Sequence, residues 1–252
     1  MIPAILMYHR IGHRPGDGIT VSPELFELQL KKLQQQNYQT ISLFQWHQMV
    51  TSTTPIPKKT VIITFDDGYR DNLQIAAPLL KKYGFTATVF AVAGQIGKVN
   101  NWDNVTHRLG AELMSVDELK EWHSLGFEIG SHGMSHAAMN QIDSTAIHYE
   151  SLQSKLLLEE LLDIPIHFFC YPYGFLNEEA KVSLRNDGYL GALAILYGAQ
   201  WDPIDWFAIP RVKISERDQP FTFSWKVSAL HKLFAQSKYR TKMIKELFKG
   251  SK

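Results

Sequence analysis

One short element occurs four times in this 252-residue sequence and constrains the fold more than any other feature. In each copy, a residue that accepts the left-handed backbone conformation is followed by an aromatic side chain: Asn37-Tyr38, Gly84-Phe85, Gly126-Phe127 and Gly188-Tyr189. Glycine and asparagine commonly end α-helices in this way, and an aromatic residue is typical of a strand that begins immediately afterwards. The four copies predict a helix-to-strand connection that is used repeatedly, without a sequence repeat of fixed period.

Strand-like runs alternate with helical patterns along the chain. Short runs rich in branched and aromatic residues predict strands at residues 4–8, 39–43, 60–65, 87–92, 127–130, 166–171 and 190–196. Between them, the segment after Ser22-Pro23, the capping-box segment from Ser115 and residues 144–162 show the apolar spacing of amphipathic helices. This alternation is typical of parallel strands with crossover helices, and uniformly apolar strands indicate a sheet buried on both faces. We therefore predict a deformed (β/α)7-type barrel with parallel strands and outer helices; an open doubly wound sheet is the alternative.

Length and composition predict a single globular domain over residues 1–252. The chain is 45% hydrophobic and 12% aromatic. Its longest apolar runs have the length of strands, far below the roughly 20 residues of a membrane-spanning helix. The N-terminal residues lack the basic head and cleavable apolar region of a secretion signal, so we expect a cytoplasmic protein unless a leader precedes this sequence. The single cysteine, Cys170, excludes an intrachain disulfide and fits a reducing compartment.

The charge of the chain is unevenly distributed. Residues 226–252 contain eight Lys/Arg and one acidic residue, whereas the rest of the chain contains 18 basic and 24 acidic residues. We expect residues 223–252 to form a basic C-terminal helix appended to the domain, with its basic face in solvent. The alternative is peripheral contact with an anionic membrane, which would place the protein at the inner face of the membrane. A nucleic-acid partner is not expected, because no recognisable nucleic-acid-binding module accompanies the basic segment.

Two short motifs carry candidate metal chemistry. In Thr64-Phe-Asp-Asp-Gly-Tyr69, an apolar strand delivers Asp66 and Asp67 to a turn at its carboxyl end, although Asp-Asp-Gly alone is a common turn sequence. In Ser131-His-Gly-Met-Ser-His136, His132 and His136 are four residues apart, a spacing that suits one metal ion. One carboxylate and two imidazoles leave coordination positions open for water and substrate, as catalytic sites do. Zinc is the expected metal, and cobalt, nickel, iron or manganese could occupy the same ligands.

These paired motifs closely resemble the first two motifs of the polysaccharide deacetylase family, the NodB-homology domains of carbohydrate esterase family four. The likeness extends over most of the chain, from about residue 5 to residue 211. It implies a deformed (β/α) barrel and metal-dependent removal of N- or O-acetyl groups from sugars. It also implies that Asp66 is the catalytic base and that Asp67, His132 and His136 hold the metal.

A third motif departs from the usual family pattern, because Cys170-Tyr-Pro-Tyr173 has cysteine where most members have arginine. It resembles the subgroup that includes poly-N-acetylglucosamine deacetylases, whose motif order is permuted and whose N-terminus carries a pair like Tyr8-His9. The resemblance implies that His9 is the general acid, and we expect this imidazole to be cationic near neutral pH when it is paired with an acid. In Asp205-Trp-Phe-Ala-Ile-Pro-Arg211, the resemblance implies that Arg211 orients or tunes the catalytic carboxylate.

Further residues are candidates for contacts with the oxyanion and the substrate. As in the family, the backbone N–H of Tyr173 is expected to help bind the oxyanion. His231 is an alternative general acid, although it lies in the basic C-terminal segment. Core packing is the alternative role for each aromatic side chain that we consider as a platform for sugar rings. These side chains are Tyr69, Tyr173, Trp201 and Trp206.

We predict a metal-dependent N-deacetylase that acts on an acetylated polysaccharide, oligosaccharide or lipid-linked saccharide. An O-deacetylase would differ only in its substrate. Two other functions stay open. One is a metal-free amidase acting on a cyclic small molecule, against which the intact histidine pair argues. The other is a non-catalytic carbohydrate-binding protein, which is suggested by Cys170 because a thiol cannot supply the permanent charge of an arginine.

Overall fold

A computed structural model describes residues 3–13, 16–102, 110–195 and 205–228. The strands are β1 (Ala4–Tyr8), β2 (Arg10–Ile11), β3 (Thr20–Val21), β4 (Gln39–Thr40), β5 (Thr60–Phe65), β6 (Thr88–Ala91), β7 (Glu128–Ser131), β8 (Phe168–Cys170), β9 (Gly191–Ala194), β10 (Ile209–Pro210) and β11 (Val212–Lys213). The α-helices are α1 (Pro23–Gln35), α2 (Leu43–Thr51), α3 (Ala77–Tyr83), α4 (Val116–Ser124), α5 (Ser144–His148), α6 (Ser154–Leu162), α7 (Glu178–Asn186) and α8 (Pro220–Val227).

The main sheet is parallel and curls into a nearly closed barrel. Its strands follow the order β10-β9-β8-β7-β6-β5-β1-β11. Strands β10 and β11 are consecutive pieces of one segment, separated only by Arg211. One piece pairs with β9 and the other with β1, so this segment brings the two ends of the sheet together. Counted once, it joins β1, β5, β6, β7, β8 and β9 as the seventh position around the barrel, which confirms the predicted (β/α)7-type fold.

One of the predicted strands is shorter than expected and does not take a position in the barrel. Residues 39–43 were expected to form a barrel strand, but only Gln39–Thr40 pairs with β5, beside the path of the barrel. The chain turns into α2 because Ser42 and Gln45 form a complete capping box at its first turn. The seventh position is instead taken by the closing segment, where Pro210 and an interrupted register hide the strand signal.

The barrel has separate inner and outer apolar layers. The interior of the barrel contains side chains from six strands together with Leu43 and Trp46 of α2. At Gly130 of β7, an added Cβ would lie 2.5 Å from the Phe90 ring, so a glycine leaves room for that ring inside the barrel. The helices pack on the outer face through a larger cluster that includes Phe26, Leu30 and Leu33 of α1. The seven interior strand residues are Ile5, Ile62, Phe90, Phe168, Cys170, Leu193 and Ile209.

The repeated helix stops behave as predicted. Asn37, Gly84, Gly126 and Gly188 all have left-handed backbone, with φ of 57°, 69°, 87° and 79°. Each stop returns the chain to the amino end of the barrel, so that the following strand runs in the same direction as its neighbours. The carboxyl ends of the strands therefore meet at one face, where a parallel barrel places its chemistry.

The predicted basic C-terminal helix over 223–252 falls largely outside the described residues. Its described part overlaps α8, which ends at Val227 and is followed by Ser228 in an extended conformation. Phe223 and Val227 are buried, and the hydroxyl of Tyr38 donates a hydrogen bond to the carbonyl oxygen of Val227. Within the described ranges, no helix combines the length and apolar character needed to span a membrane. Membrane contact by residues 229–252 stays a prediction.

Candidate active site

The predicted chemical groups converge on a small cavity at the carboxyl ends of the strands. Asp66 and Asp67 follow β5, and His132 follows β7. The cavity has a volume of about 80 Å³. A larger cavity of about 430 Å³ lies at the amino ends of the strands around Phe44 and His167. Both described groups of side chains that could hold a metal ion contain residues of the small cavity. Its lining consists of His9, Ile19, Asp66, Asp67, Trp102, His132, His136, Tyr173 and Ile195.

Asp67, His132 and His136 form a candidate metal site. The Nε2 atoms of His132 and His136 lie 3.4 and 3.2 Å from Oδ1 of Asp67, and all three side chains are buried. This Oδ1 atom has no hydrogen-bond partner in the described structure. Nδ1 of His132 lies 2.7 Å from the carbonyl oxygen of Cys170; as the donor of this bond it leaves the Nε2 lone pair directed at Asp67. A buried, unpartnered carboxylate oxygen facing two imidazole nitrogens fits a divalent cation.

The electrostatic surroundings keep the Asp67 carboxylate ionised. Burial alone raises the pKa of this carboxyl, but the neighbouring His132 and His136 more than offset the effect, so that the pKa falls well below its usual value. Burial also lowers the pKa of His136, which favours the neutral imidazole that a metal requires.

Three residues of the site have strained backbone conformations. Asp67, His136 and Tyr173 have φ values of 73°, 66° and 59°. The left-handed region is uncommon for residues other than glycine, and such strain clusters at functional sites. Gly68 continues the turn with φ of 76°, where a Cβ would lie 3.3 Å from Cα of Ala91. The tight turn after β5 therefore directs two adjacent carboxylates into one cavity.

Asp66 forms a buried bidentate ion pair with Arg211. Two guanidinium nitrogens of Arg211 donate to Oδ1 and Oδ2 of Asp66 at 2.6 and 2.8 Å. The guanidinium also donates to the Thr64 hydroxyl at 3.2 Å and to the Cys170 sulfur at 3.1 Å. Burial raises the pKa of Asp66, but the charge and hydrogen bonds of Arg211, with the nearby histidines, bring it below its usual value. The carboxylate is therefore ionised at neutral pH.

Cys170 lies directly against this ion pair. Its thiol is fully buried, with Sγ 3.6 Å from Oδ1 of Asp66, and burial raises its pKa. A cysteine in this position leaves space for the guanidinium that Arg211 extends from the closing segment. The permanent positive charge that Cys170 cannot supply is thus present beside Asp66, and the argument for a non-catalytic protein loses its basis.

His9 lies on the other side of Asp66, at the end of β1. Its Nε2 is 3.9 Å from Oδ2 of Asp66, and its carbonyl oxygen accepts a hydrogen bond from the Asn72 side chain at 2.7 Å. Burial is the largest effect on the pKa of His9 and lowers it; Asp67 and Asp66 raise it, Arg211 and Lys213 lower it, and the net pKa is below its usual value. The expectation of a cationic His9 was therefore wrong, because the loss of hydration together with the nearby cations outweighs the nearby acids.

Comparison with known proteins identifies the family. The family model described as polysaccharide deacetylase matches residues 53–192, which is more than half of the chain. The chain belongs to the polysaccharide deacetylase family. YxkH of Bacillus subtilis (strain 168), a relative whose name assigns it to the same family, is 32% identical over 211 residues, which cover 84% of this chain and 71% of the relative.

More distant relatives support the same assignment. A protein of Staphylococcus aureus (strain MRSA252) named poly-beta-1,6-N-acetyl-D-glucosamine N-deacetylase is 27% identical over 208 residues, covering 78% of this chain and 68% of the relative. The Streptococcus pyogenes deacetylase PplD, solved with acetate, has a TM-score of 0.78 at 24% identity and covers 90% of this chain and 100% of its own. IcaB from Ammonifex degensii has a TM-score of 0.75 at 24% identity, covering 89% of this chain and 97% of its own. These two structures establish the shared fold.

Two of the residues expected to form a platform for the sugar lie elsewhere. Tyr69 is fully buried, and its hydroxyl accepts a hydrogen bond from the Asn100 side chain at 2.7 Å, so its ring cannot receive a sugar. Trp206 packs against Trp46, with ring centroids 4.7 Å apart, near the amino ends of the strands. Both predictions were wrong because each ring serves the packing of the domain. Trp201 and His231 lie outside the described residues.

Of the proposed platform residues that the structure describes, Tyr173 is the one that lines the cavity. Its side chain is 44% exposed, and its ring meets that of His136 edge to face with centroids 4.6 Å apart. Trp102, which sequence reasoning missed, stacks on the His136 ring with centroids 4.7 Å apart and also lines the cavity. Ile19 and Ile195 were also missed. All three lie outside the motifs, so no spacing pattern points to them.

Proposed function

We propose that this protein is a metal-dependent hydrolase that removes the acetyl group from an N-acetylated sugar of a polysaccharide, an oligosaccharide or a lipid-linked saccharide. The observation that supports it most directly is the joining of a three-ligand cation site to a separate acid–base pair, Asp66 and His9, in one cavity. The name of the Staphylococcus aureus relative supports an N-acetylated sugar as the substrate class.

The metal would be held by Asp67, His132 and His136. Their nitrogen and oxygen donors suit zinc best, and cobalt, nickel, iron or manganese are alternatives. When bound, a divalent cation acts as a Lewis acid that makes water nucleophilic near neutral pH and withdraws charge from the acyl oxygen. With three protein ligands, such an ion would keep coordination positions open for water and substrate.

Asp66 is suited to accept the proton of the attacking water. Arg211 holds its carboxylate in one orientation and keeps it ionised, so the group is ready to accept a proton at neutral pH. The same ion pair makes Asp66 a weak base by itself, and a bound cation would offset this weakness by making water more acidic.

His9 is suited to deliver a proton to the leaving nitrogen. Its lowered pKa means that the resting imidazole is neutral at neutral pH. Its Nε2 lies 3.9 Å from Oδ2 of Asp66, which is longer than a hydrogen bond, so the proton that Asp66 takes from water would reach His9 through one water or after the two groups draw closer, and would then pass to the amine. One proton is then moved across the cavity in each turnover, and no external acid is needed.

The walls of the cavity suit an acetyl group. Ile19, Trp102 and Ile195 supply apolar contacts, and a volume of about 80 Å³ admits a small acyl group while the sugar ring stays outside. Tyr173 lines the cavity, and we propose that its side chain contacts the sugar ring and that its backbone N–H, next to Pro172 in a left-handed turn, binds the oxyanion.

The test is acetate release from N-acetylglucosamine oligomers by the purified protein. We expect activity that is lost on removal of metal with a chelator and restored by zinc, and that is abolished in Asp66→Asn. O-acetylated sugars tested in parallel separate N- from O-deacetylation. Activity that survives complete removal of metal would refute the metal-dependent mechanism, and glycan binding without turnover would favour the carbohydrate-binding alternative.

A further inference from the structure

The loop that carries His136 is held on two sides by hydrogen bonds. It begins after β7, where the amide of Gly133 donates to the Ser131 hydroxyl at 3.2 Å. The backbone amides of Ala93 and Gly94 donate to the carbonyl oxygens of Gly133 and Met134, each at 2.9 Å. These bonds fix the carbonyl side of the loop against the end of β6. They leave the amides of the next turn to be satisfied by another group.

That group is the carboxylate of Glu150. Oε2 of Glu150 accepts hydrogen bonds from the backbone amides of Met134 and Ser135 at 2.8 and 3.0 Å, while Oε1 accepts one from the Ser135 hydroxyl. Glu150 is only 4% exposed. No cation among the described residues forms an ion pair with Glu150. In the described structure, the hydrogen bonds from this loop are what compensate the burial of its carboxylate.

The local structure around Glu150 is adapted to this contact. Glu150 lies in the π-helical turn Tyr149–Gln153, between α5 and α6, and such turns are frequent at functional sites. At Gly133, which has φ of 83°, an added Cβ would lie 2.6 Å from Oε2 of Glu150. The glycine therefore permits the carboxylate to approach the backbone closely.

We infer that Glu150 is a positioning residue for the metal site. By accepting both amides and the hydroxyl, it stabilises the tight turn that ends at His136 with a left-handed φ of 66°, and so directs this imidazole towards Asp67. A carboxylate is the side chain that can accept three donors with two oxygens and donate none. The inference rests on the proposed function, because it assumes that this imidazole binds a metal.

Replacement of Glu150 by glutamine should weaken metal binding without unfolding the protein. The amide keeps the size of the side chain, but it replaces one acceptor oxygen with an NH2 group that faces donors of the loop. Loss of groups that orient metal ligands typically weakens metal binding by about 10- to 100-fold. We expect an increase of this size in the dissociation constant for zinc.

The experiment measures zinc affinity of the full chain by competition with a chromophoric chelator, and records the visible spectrum of the cobalt-loaded protein. Glu159→Gln is the matched control, because Glu159 lies on the same continuous helix and also accepts a backbone amide, that of Ile166. Glu150→Gln should bind zinc more weakly and show an altered cobalt spectrum, since the spectrum reports ligand geometry. The control should resemble the wild type.

Ser135→Ala provides a second variant that removes only the hydroxyl contact to Glu150. It should weaken zinc binding in the same direction but less, and its effect should not add to that of Glu150→Gln because both act through one contact. Wild-type zinc affinity and cobalt spectra in both variants would overturn the inference while leaving the proposed function intact. Failure of the wild-type protein to bind either metal would instead overturn the metal-dependent function and this inference together.

Discussion

The ion pair between Asp66 and Arg211 offers a demanding test of the reasoning about the site. Arg211→Met removes the guanidinium and retains most of the side-chain length. Arg211 is 3% exposed and Asp66 is 2% exposed, so the variant leaves a carboxylate buried without its two N–H donors. Breaking a buried pair in this way costs about 3–5 kcal/mol, a large share of the roughly 5–15 kcal/mol that stabilises a typical domain.

A double-mutant cycle separates the pair from the contacts of each side chain. Asp66→Asn alone leaves Arg211 buried as an unpaired cation, so it should also be destabilising. The combination of Asp66→Asn with Arg211→Met removes both charges, so that neither is left buried without its partner. We expect the free energy of unfolding, measured by urea denaturation, to show a coupling of about 2–3 kcal/mol between the two substitutions. Additive effects would refute the interpretation of the contact as a coupled ion pair.

The pH dependence of the stability of Arg211→Met provides an independent test. In the wild type the pKa of Asp66 is below its usual 3.8, so the charged carboxylate contributes stability above that value, which is lost as the pH falls through the folded pKa. Without Arg211, burial raises the pKa of Asp66 in the folded protein, so the free energy of unfolding of the variant falls as the pH rises above the unfolded value. The destabilisation by Arg211→Met should thus grow with pH above about 3.8, by up to about 1.4 kcal/mol per pH unit. Equal destabilisation at about pH 4 and about pH 7 would contradict this reasoning.

Three further predictions concern other parts of the molecule. Asp67→Asn should abolish stoichiometric zinc binding, measured by elemental analysis, while the far-ultraviolet circular dichroism is retained. Tyr69→Phe should cost about 1 kcal/mol of stability through loss of the hydrogen bond from Asn100, but should leave the KM for N-acetylglucosamine oligomers unchanged; a raised KM would restore Tyr69 as a substrate contact. Gly130→Ala should lower the free energy of unfolding by about 1–3 kcal/mol, because its methyl group collides with the Phe90 ring, and an unchanged melting temperature would contradict the proposed packing.

Much of the fold could be predicted because its signals are local. A left-handed helix stop depends on the residue at that position, and all four predicted stops are present. The closing segment could not be recognised in the same way. Its two short strands pair with β9 and β1, which lie far apart in the sequence, and Pro210 weakens any strand signal. Only the completed barrel shows that these residues belong to the sheet.

The candidate site was likewise predicted only in part. The side chains of Asp66, Asp67, His132 and His136 could be named from two short motifs, and the structure brings them to one cavity. The state of His9 could not, because the direction of its pKa depends on a balance between burial and charge that is set by the whole barrel mouth. Aromatic side chains were predicted least well, since a buried ring and a substrate platform look alike in a sequence.

Closure of the barrel and preparation of the site depend on the same residue. Arg211 separates the two strands of the closing segment, β10 and β11, and the backbone on either side of it pairs with opposite ends of the sheet. Its side chain crosses the interior to hold Asp66, which follows β5. The ion pair therefore joins the last part of the barrel in sequence to the strand that carries the proposed base. A charge that would be costly in an apolar interior is stabilised only when the barrel is complete, so the carboxylate is held ionised in its working position only in the fully folded protein.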